Sequence, residues 1–294
     1  MPTVADDNFE DFVSNWDLFK ARLTVLLGAG ASMGALNARN EQLLNAYELR
    51  NELWLRFKHD GKSTFSPADL KLMSLEHAAA IVEAKTGRTP MSEFLVERFT
   101  CELPLWQHLA LPYLDPKSIF TTNYDELVEL GYKAAPPLLD VICDGRSPMP
   151  GRTALYKPHG SLTHANQPVG KGGLVITQFD YFEMISEYRK MVRHAMGGFG
   201  SSCVVLIGYS FGDMDIGSEL FAIRQGNKGI PWYAVFPRDD RQVRKMYSDR
   251  FNINQINMTF EQFMVRLDER VGFLPAAAKW ENLATLRTAG RIQG

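Results

Sequence analysis

The chain has 294 residues, 45% hydrophobic and 22% charged, a composition that supports a sizeable core and excludes an intrinsically disordered protein. A formal net charge of -2 excludes gripping nucleic acid by bulk charge, and no stretch reaches the ~18 uninterrupted apolar residues of a membrane span. The three cysteines, Cys101, Cys143 and Cys203, are odd in number and far apart; with no secretory-type leader at the N-terminus, the expectation is a reduced, cytoplasmic protein without a disulfide framework or a cysteine metal site.

Asn8 to Arg22 carries Phe9, Phe12, Val13, Trp16 and Phe19 at helical spacing and predicts an amphipathic helix. Leu23-Thr-Val-Leu-Leu-Gly-Ala-Gly-Ala-Ser32 then reads as a buried parallel strand running into a tight turn. From Glu41 to about Pro112 the pattern is helical, over Leu43 to Phe57, Leu70 to Ala84 and Phe94 to Leu109. Gly61-Lys62-Ser63 and Thr86-Gly87-Arg88-Thr89-Pro90 punctuate it. This block is expected to be a helical insertion over the mouth of the glycine turn.

Pro116 to Asp125 predicts a second strand that delivers Asn123 and Asp125 at its carboxyl end, with a helix over Glu126 to Tyr132. Leu138 to Cys143 reads as another strand, and Leu155-Tyr-Lys-Pro-His-Gly-Ser161 as a strand entering a loop, because Pro158 forbids a helix interior. Leu174 to Thr177 is strand-like and Tyr181 to Met196 helical. Cys203-Val-Val-Leu-Ile-Gly-Tyr-Ser-Phe-Gly-Asp213 repeats the opening pattern of dense apolar strand and glycine, with a helix from Asp215. Ile230 to Phe236 and Ile253 to Met258 predict strands, Asp240 to Arg250 a helix, and Thr259-Phe-Glu-Gln262 a capping box opening a helix to Val271. The tail after Pro275 reads as loosely attached. Strands alternating with helices indicate an open parallel α/β sheet covered on both faces.

In such sheets ligands sit at the carboxyl ends of the strands, and that is where the polar and glycine-rich segments fall. Gly28-Ala-Gly30 allows backbone N–H groups close to a pyrophosphate, with Ser32 adding a hydroxyl, or it is a plain strand-to-helix connection. No G-x-x-x-x-G-K-[ST] occurs, which disfavours a Walker-type nucleotidase. Asn123 either holds a ribose hydroxyl or a water or caps the following helix, and Asp125 has the same two readings. His159, between Pro158 and Gly160, is placed to transfer a proton at a cleft or to hydrogen bond in the sheet rim. In Gly208-Tyr-Ser-Phe-Gly-Asp213, Gly208 permits close approach and Ser210 a phosphate or ribose contact. Asp213 or Asp215 takes ribose hydroxyls or caps the helix. The G-x-S-x-G spacing around Ser210 does not make a serine hydrolase, since no histidine follows it in the chain.

Taken together, Gly28-Ala-Gly-Ala-Ser32, Thr121-Thr-Asn-Tyr-Asp125, Lys157-Pro-His-Gly-Ser161, Thr177-Gln-Phe-Asp-Tyr181 and Gly208-Tyr-Ser-Phe-Gly-Asp213, in that order, resemble the prokaryotic SIR2-like (sirtuin-related) NAD hydrolase family of antiphage defence systems. The resemblance implies a Rossmann-like NAD-binding domain over 1–35 and 116–274, a helical insertion or lid over 36–115 and a tail over 275–294. It implies hydrolysis of NAD+, as substrate and without a metal, to nicotinamide and ADP-ribose. Asn123 and His159 are then catalytic. Gly28, Ala29, Gly30 and Ser32 lie around the phosphates and Gly208 and Ser210 near the adenosine, the cofactor-contacting set also taking in Asp125, Tyr209 and Asp213. A homo-oligomer, or a complex with a defence partner such as a short Argonaute or a HerA-type ATPase, is the implied assembly, without direct nucleic-acid or membrane contact. The paired Cys-x-x-Cys zinc site and the Gly-Ile-Pro-Asp-Phe-Arg stretch of deacetylating sirtuins are missing, Gly34-Ala-Leu-Asn-Ala-Arg39 standing in place of the latter. A sirtuin-like protein deacylase and a non-catalytic NAD or ADP-ribose sensor are the alternative readings.

Overall fold

A computed structural model describes residues 4–57, 67–133, 135, 137–226, 229–238 and 240–293. Gly61-Lys62-Ser63 lies outside the described residues. In chain order, the elements are α1 (Val4–Ser14), α2 (Trp16–Phe19), β1 (Leu23–Leu27), α3 (Ala46–Phe57), α4 (Pro67–Leu72), α5 (Leu75–Thr86), α6 (Arg88–Phe99), α7 (Trp106–Ala110), β2 (Ser118–Thr121), α8 (Leu127–Tyr132), β3 (Leu139–Ile142) and β4 (Thr153–Tyr156). They continue with α9 (Gln178–Met196), β5 (Cys203–Ile207), α10 (Met214–Gly226), β6 (Trp232–Val235), α11 (Arg241–Phe251), β7 (Ile253–Ile256), α12 (Phe260–Val271) and α13 (Leu283–Thr288).

The strands form one seven-stranded sheet in the order β3-β4-β2-β1-β5-β6-β7, and every pairing is parallel. This is the open, Rossmann-like α/β sheet that the alternation of strands and helices predicts. The chain moves outward from β1 on one side, then returns to lay β5 on β1's other side. The reversal of direction therefore falls between β1 and β5, where doubly wound sheets open a crevice beyond the strand ends.

Side-chain alternation along the strands divides the core into two layers. Val25, Leu27, Ile119, Val205 and Tyr233 face a cluster shared with Phe9 and Phe12 of α1, Trp106 and Leu109 of α7, and Phe263 and Leu267 of α12. Leu26, Phe120, Val204, Leu206 and Trp232 face Val192 and Met196 of α9, Ile216 and Leu220 of α10, and Tyr247 of α11. Helices α3 to α6 build a third cluster that includes Leu49, Leu53, Leu95 and Phe99. It is completed by Leu162, Leu174 and Ile176 from the loops beyond β4. Packing changes before α7, whose Trp106 and Leu109 belong to the sheet layer.

Four expectations are corrected. The first helical run breaks at Asn15, whose side chain donates to the Asp11 carbonyl at 2.8 Å, so α1 and α2 are separate. The run from Phe94 to Leu109 is interrupted after Phe99 and resumes at Trp106, because Pro104 cannot extend a helix. Leu174 to Thr177 is a buried irregular segment rather than a strand. Its backbone is satisfied mostly by side chains: Asp180 accepts from the Ile176 and Thr177 N–H groups, Tyr124 donates to the Val175 carbonyl, and Arg88 donates to the Leu174 carbonyl, while the Val175 N–H donates to the His159 carbonyl. The tail after Pro275 is docked, not loose, with Ala278, Leu286 and Ile292 in the sheet-layer core.

Candidate functional site

The turn after β1 packs directly against the turn after β5. The Gly28 N–H donates to the Ile207 carbonyl at 3.0 Å and the Gly30 N–H to the Gly208 carbonyl at 3.0 Å. A Cβ on Gly28 would lie 2.6 Å from the Gly208 carbonyl oxygen, and one on Gly208, whose φ is +61°, would lie 2.3 Å from the Ala31 nitrogen. The glycines are thus required by the mutual approach of two backbones, before any ligand is considered. Ala29 and Ser210 remain exposed on the rim beside this contact.

The turn after β2 locks onto the first. Asn123 donates through Nδ2 to the Gly28 carbonyl and to Ser32 Oγ, each at 3.0 Å. Ser32, 5% exposed, donates in turn to Asp125 Oδ2 at 2.7 Å, while Asp125 Oδ1 accepts from the Leu127 N–H at the start of α8. The hydroxyl proton of Ser32 and the amide protons of Asn123 are therefore engaged within the protein. Asn123 Oδ1, on a half-buried residue, makes no hydrogen bond among the described residues and is the atom left to accept one from outside.

His159 arrives from the loop after β4, on the strand beside β2. Gly160, at φ +83°, turns the chain there, and the Val175 N–H donates to the His159 carbonyl at 3.0 Å. Its ring, on a residue 4% exposed, meets Tyr181 edge-on with centroids 5.4 Å apart. Nε2 lies 3.0 Å from Asp213 Oδ2. The other oxygen of Asp213 accepts from the Asp215 and Ile216 N–H groups at 3.1 and 3.2 Å, so Asp213 caps α10 and faces the imidazole at once. Burial alone would raise the Asp213 carboxyl, but the His159 charge and these hydrogen bonds hold it below its ordinary range, keeping a carboxylate against the ring. Asp215 is not the capping side chain here.

Tyr209 stands apart from this rim, 5% exposed in the α9–α11 layer with its ring 5.0 Å from that of Phe211. Sequence reasoning gave no role to Lys157, although a lysine closing an apolar strand is a visible anomaly. Its side chain is 0% exposed, and Nζ donates to the Asp125 carbonyl at 2.6 Å, the Tyr124 carbonyl at 3.3 Å and Glu129 Oε1 at 2.9 Å. Burial pulls the ammonium down, yet the Glu129 and Asp125 charges hold it above its ordinary value. The lysine thereby pins the loop that carries Asn123. Tyr124 ties the same loop to the segment behind His159 through its 2.6 Å bond to the Val175 carbonyl. Among the described residues no group of three or more His, Cys, Asp or Glu could hold a metal ion, and no helix is long and apolar enough to cross a membrane.

Residues 117–257 match the SIR2-like domain family. The matched residues include Asn123, His159 and the Gly208 to Asp213 turn; the Gly28 turn lies outside them and joins them through the β1 to β5 contact. No curated protein matches the chain. Among solved structures, one titled as a Sir2 point mutant with a p53 peptide and NAD matches at 14% identity and a TM-score of 0.46, covering 90% of this chain and 99% of that one. The fold assignment rests on the strand order and parallel pairing themselves.

Proposed function

We propose that the chain is an NAD+ hydrolase that releases nicotinamide and ADP-ribose. The observation that carries this reading is the convergence, at the carboxyl edge of adjacent strands β4, β2, β1 and β5, of a carboxylate-backed histidine, a locked asparagine and two glycine turns in mutual contact. The SIR2-like match over 117–257 supports it.

Nicotinamide leaves NAD+ as a neutral molecule from a cationic precursor, so its departure needs no general acid. The resulting oxocarbenium-like centre needs a placed water and a base. In this reading the dinucleotide lies over the Gly28 and Gly208 turns, and Asn123 Oδ1 accepts from the attacking water or a ribose hydroxyl. In this reading the negative Asp213 carboxylate, 3.0 Å from Nε2, favours the tautomer protonated there, which leaves Nδ1 of His159 with the lone pair that removes the water proton directly or through a ribose hydroxyl. Ala29 and Ser210 line the rim toward the phosphates and the adenosine. Unregulated loss of NAD+ would harm the host cell, so the reading includes an effector role in antiphage defence. Assembly, with itself or with a partner ATPase or Argonaute, gates that activity.

The test follows nicotinamide release by chromatography, for the chain alone and with the product of the neighbouring gene. His159→Ala lowers release by about 10²–10⁴-fold while leaving the circular dichroism spectrum unchanged. Asp213→Asn, which keeps the size of the side chain but removes its charge, lowers kcat with little change in KM. Adding an acetylated peptide leaves the rate unchanged if hydrolysis is the reaction. Full turnover by His159→Ala sinks the assignment.

A further inference from the structure

At the opposite edge of the same sheet, the amino ends of β1, β2, β4 and β5 border a cavity of about 320 Å³. Thr24 and Ser118 lie near the amino ends of β1 and β2, ahead of the turns that carry Gly28 and Asn123, while Tyr156, the last residue of β4, also lines the cavity. The volume is at the small end of ligand pockets, which run roughly 300–1,000 Å³. Its walls combine exposed cations, Lys117 and Arg152, with the hydroxyls of Thr24 and Ser118 and the rings of Tyr156 and Phe199. Among the described residues the lining contains no aspartate or glutamate.

The polar groups there are under-used. Lys117 Nζ makes no ion pair among the described residues, and Arg152 has only a 3.5 Å contact from Nη1 to the Leu139 carbonyl. The Tyr156 residue is 6% exposed, and its hydroxyl makes no hydrogen bond among the described residues. Thr24 and Ser118 bond only each other through their side chains, at 3.3 Å. The loop over the cavity is itself fixed. Buried Asp140 accepts from Nη1 and Nη2 of Arg146 at 2.9 and 2.6 Å and from the Met149 N–H at 2.7 Å, which holds 148–151 in place as a wall. Exposed cations at a rim above an aromatic interior, with the nearby Asp140 carboxylate itself engaged by Arg146, match a phosphate joined to a planar group.

We infer that this cavity binds a small phosphomonoester carrying a planar ring, of the mononucleotide class, at a site separate from the proposed dinucleotide crevice. The inference does not depend on the proposed hydrolase activity.

Isothermal titration calorimetry on the full chain, using AMP, adenosine and inorganic phosphate as probes, tests it. AMP binds at least about tenfold more tightly than either adenosine, which lacks the anion, or phosphate, which lacks the ring. The double variant Lys117→Ala/Arg152→Ala, altered only at exposed side chains, loses at least about tenfold in AMP affinity while its melting temperature is unchanged. No AMP binding, AMP binding no tighter than phosphate, or AMP binding that the double variant leaves intact each overturns the inference, the last because AMP is then held elsewhere.

Discussion

Lys157 and Glu129 show how a single buried pair sets the geometry of the site. The lysine donates to Glu129 and to two carbonyls of the Asn123 loop, so its removal leaves Glu129 without this cation and the loop without these anchors. Lys157→Met is expected to cost about 3–5 kcal/mol, the penalty for leaving a buried charge uncompensated. Urea denaturation measures it, and adding Glu129→Gln should restore part of the loss. A double variant no more stable than Lys157→Met would mean that the charge pair is not the cause. At this scale the sequence was partly legible. Asn123, His159 and Asp213 stand out because polar residues follow apolar strands. That Ser32 joins Asn123 to Asp125 depends on residues 91 and 93 positions apart in sequence coming into contact, and Asp213 reaches His159 from the turn after β5, beyond the whole of α9.

Among the elements, the tail departs most from its sequence. Pro275, the alanines and the glycine near the end look like an unstructured terminus. Instead, Trp280 packs edge-on against Trp106 with centroids 5.0 Å apart. Gln293 accepts from the Leu36 N–H at 2.6 Å and donates through Nε2 to the Leu36 and Leu103 carbonyls at 2.9 and 2.6 Å. These contacts close the segment that follows β1 against the stretch that leads into α7. Truncation after Pro275 should therefore cost at least about 3 kcal/mol, from Leu286 and Ile292 alone at roughly 1.5–3 kcal/mol for each fully buried side chain. An unchanged urea midpoint would refute it. Leu174 to Thr177 misleads for a related reason. Leu174 and Ile176 are buried among α5 and α6, as a strand's residues would be, but the backbone bonds of the segment go to Asp180, Tyr124, Arg88 and the His159 carbonyl rather than to a neighbouring strand.

The whole molecule has an acid limb whose order follows from its buried groups. His108, 1% exposed, is pulled from 6.5 down to about 4 by burial. It is neutral in the fold, whereas the unfolded chain takes up a proton below about 6.5, so stability is complete above that pH and falls as pH drops toward 4. The loss is about 3 kcal/mol. Asp140, held down by its Arg146 hydrogen bonds, and Asp213 act later. Their contributions are present above the ordinary carboxylate range, near 3.9, and disappear as pH falls through their depressed values. Urea midpoints between pH 8 and pH 4.5 should decline for the natural chain and stay nearly level for His108→Leu. Equal slopes would exclude His108 as the source.

The sequence by itself determined the parallel α/β architecture, because apolar strand runs and helical spacing are local patterns that burial on both faces demands. It also marked the strand ends at which Asn123, His159 and Asp213 stand, since glycine and polar residues interrupt those runs. Only the tertiary structure decided which strands are neighbours. Strand order brings β4, β2, β1 and β5 side by side, sets Asp213 behind His159 and turns Asn123 Oδ1 outward. It also leaves a cation-rimmed cavity at the far edge. Those are contacts between distant segments, created by how the crossovers pack on the sheet rather than by the preferences of any one stretch.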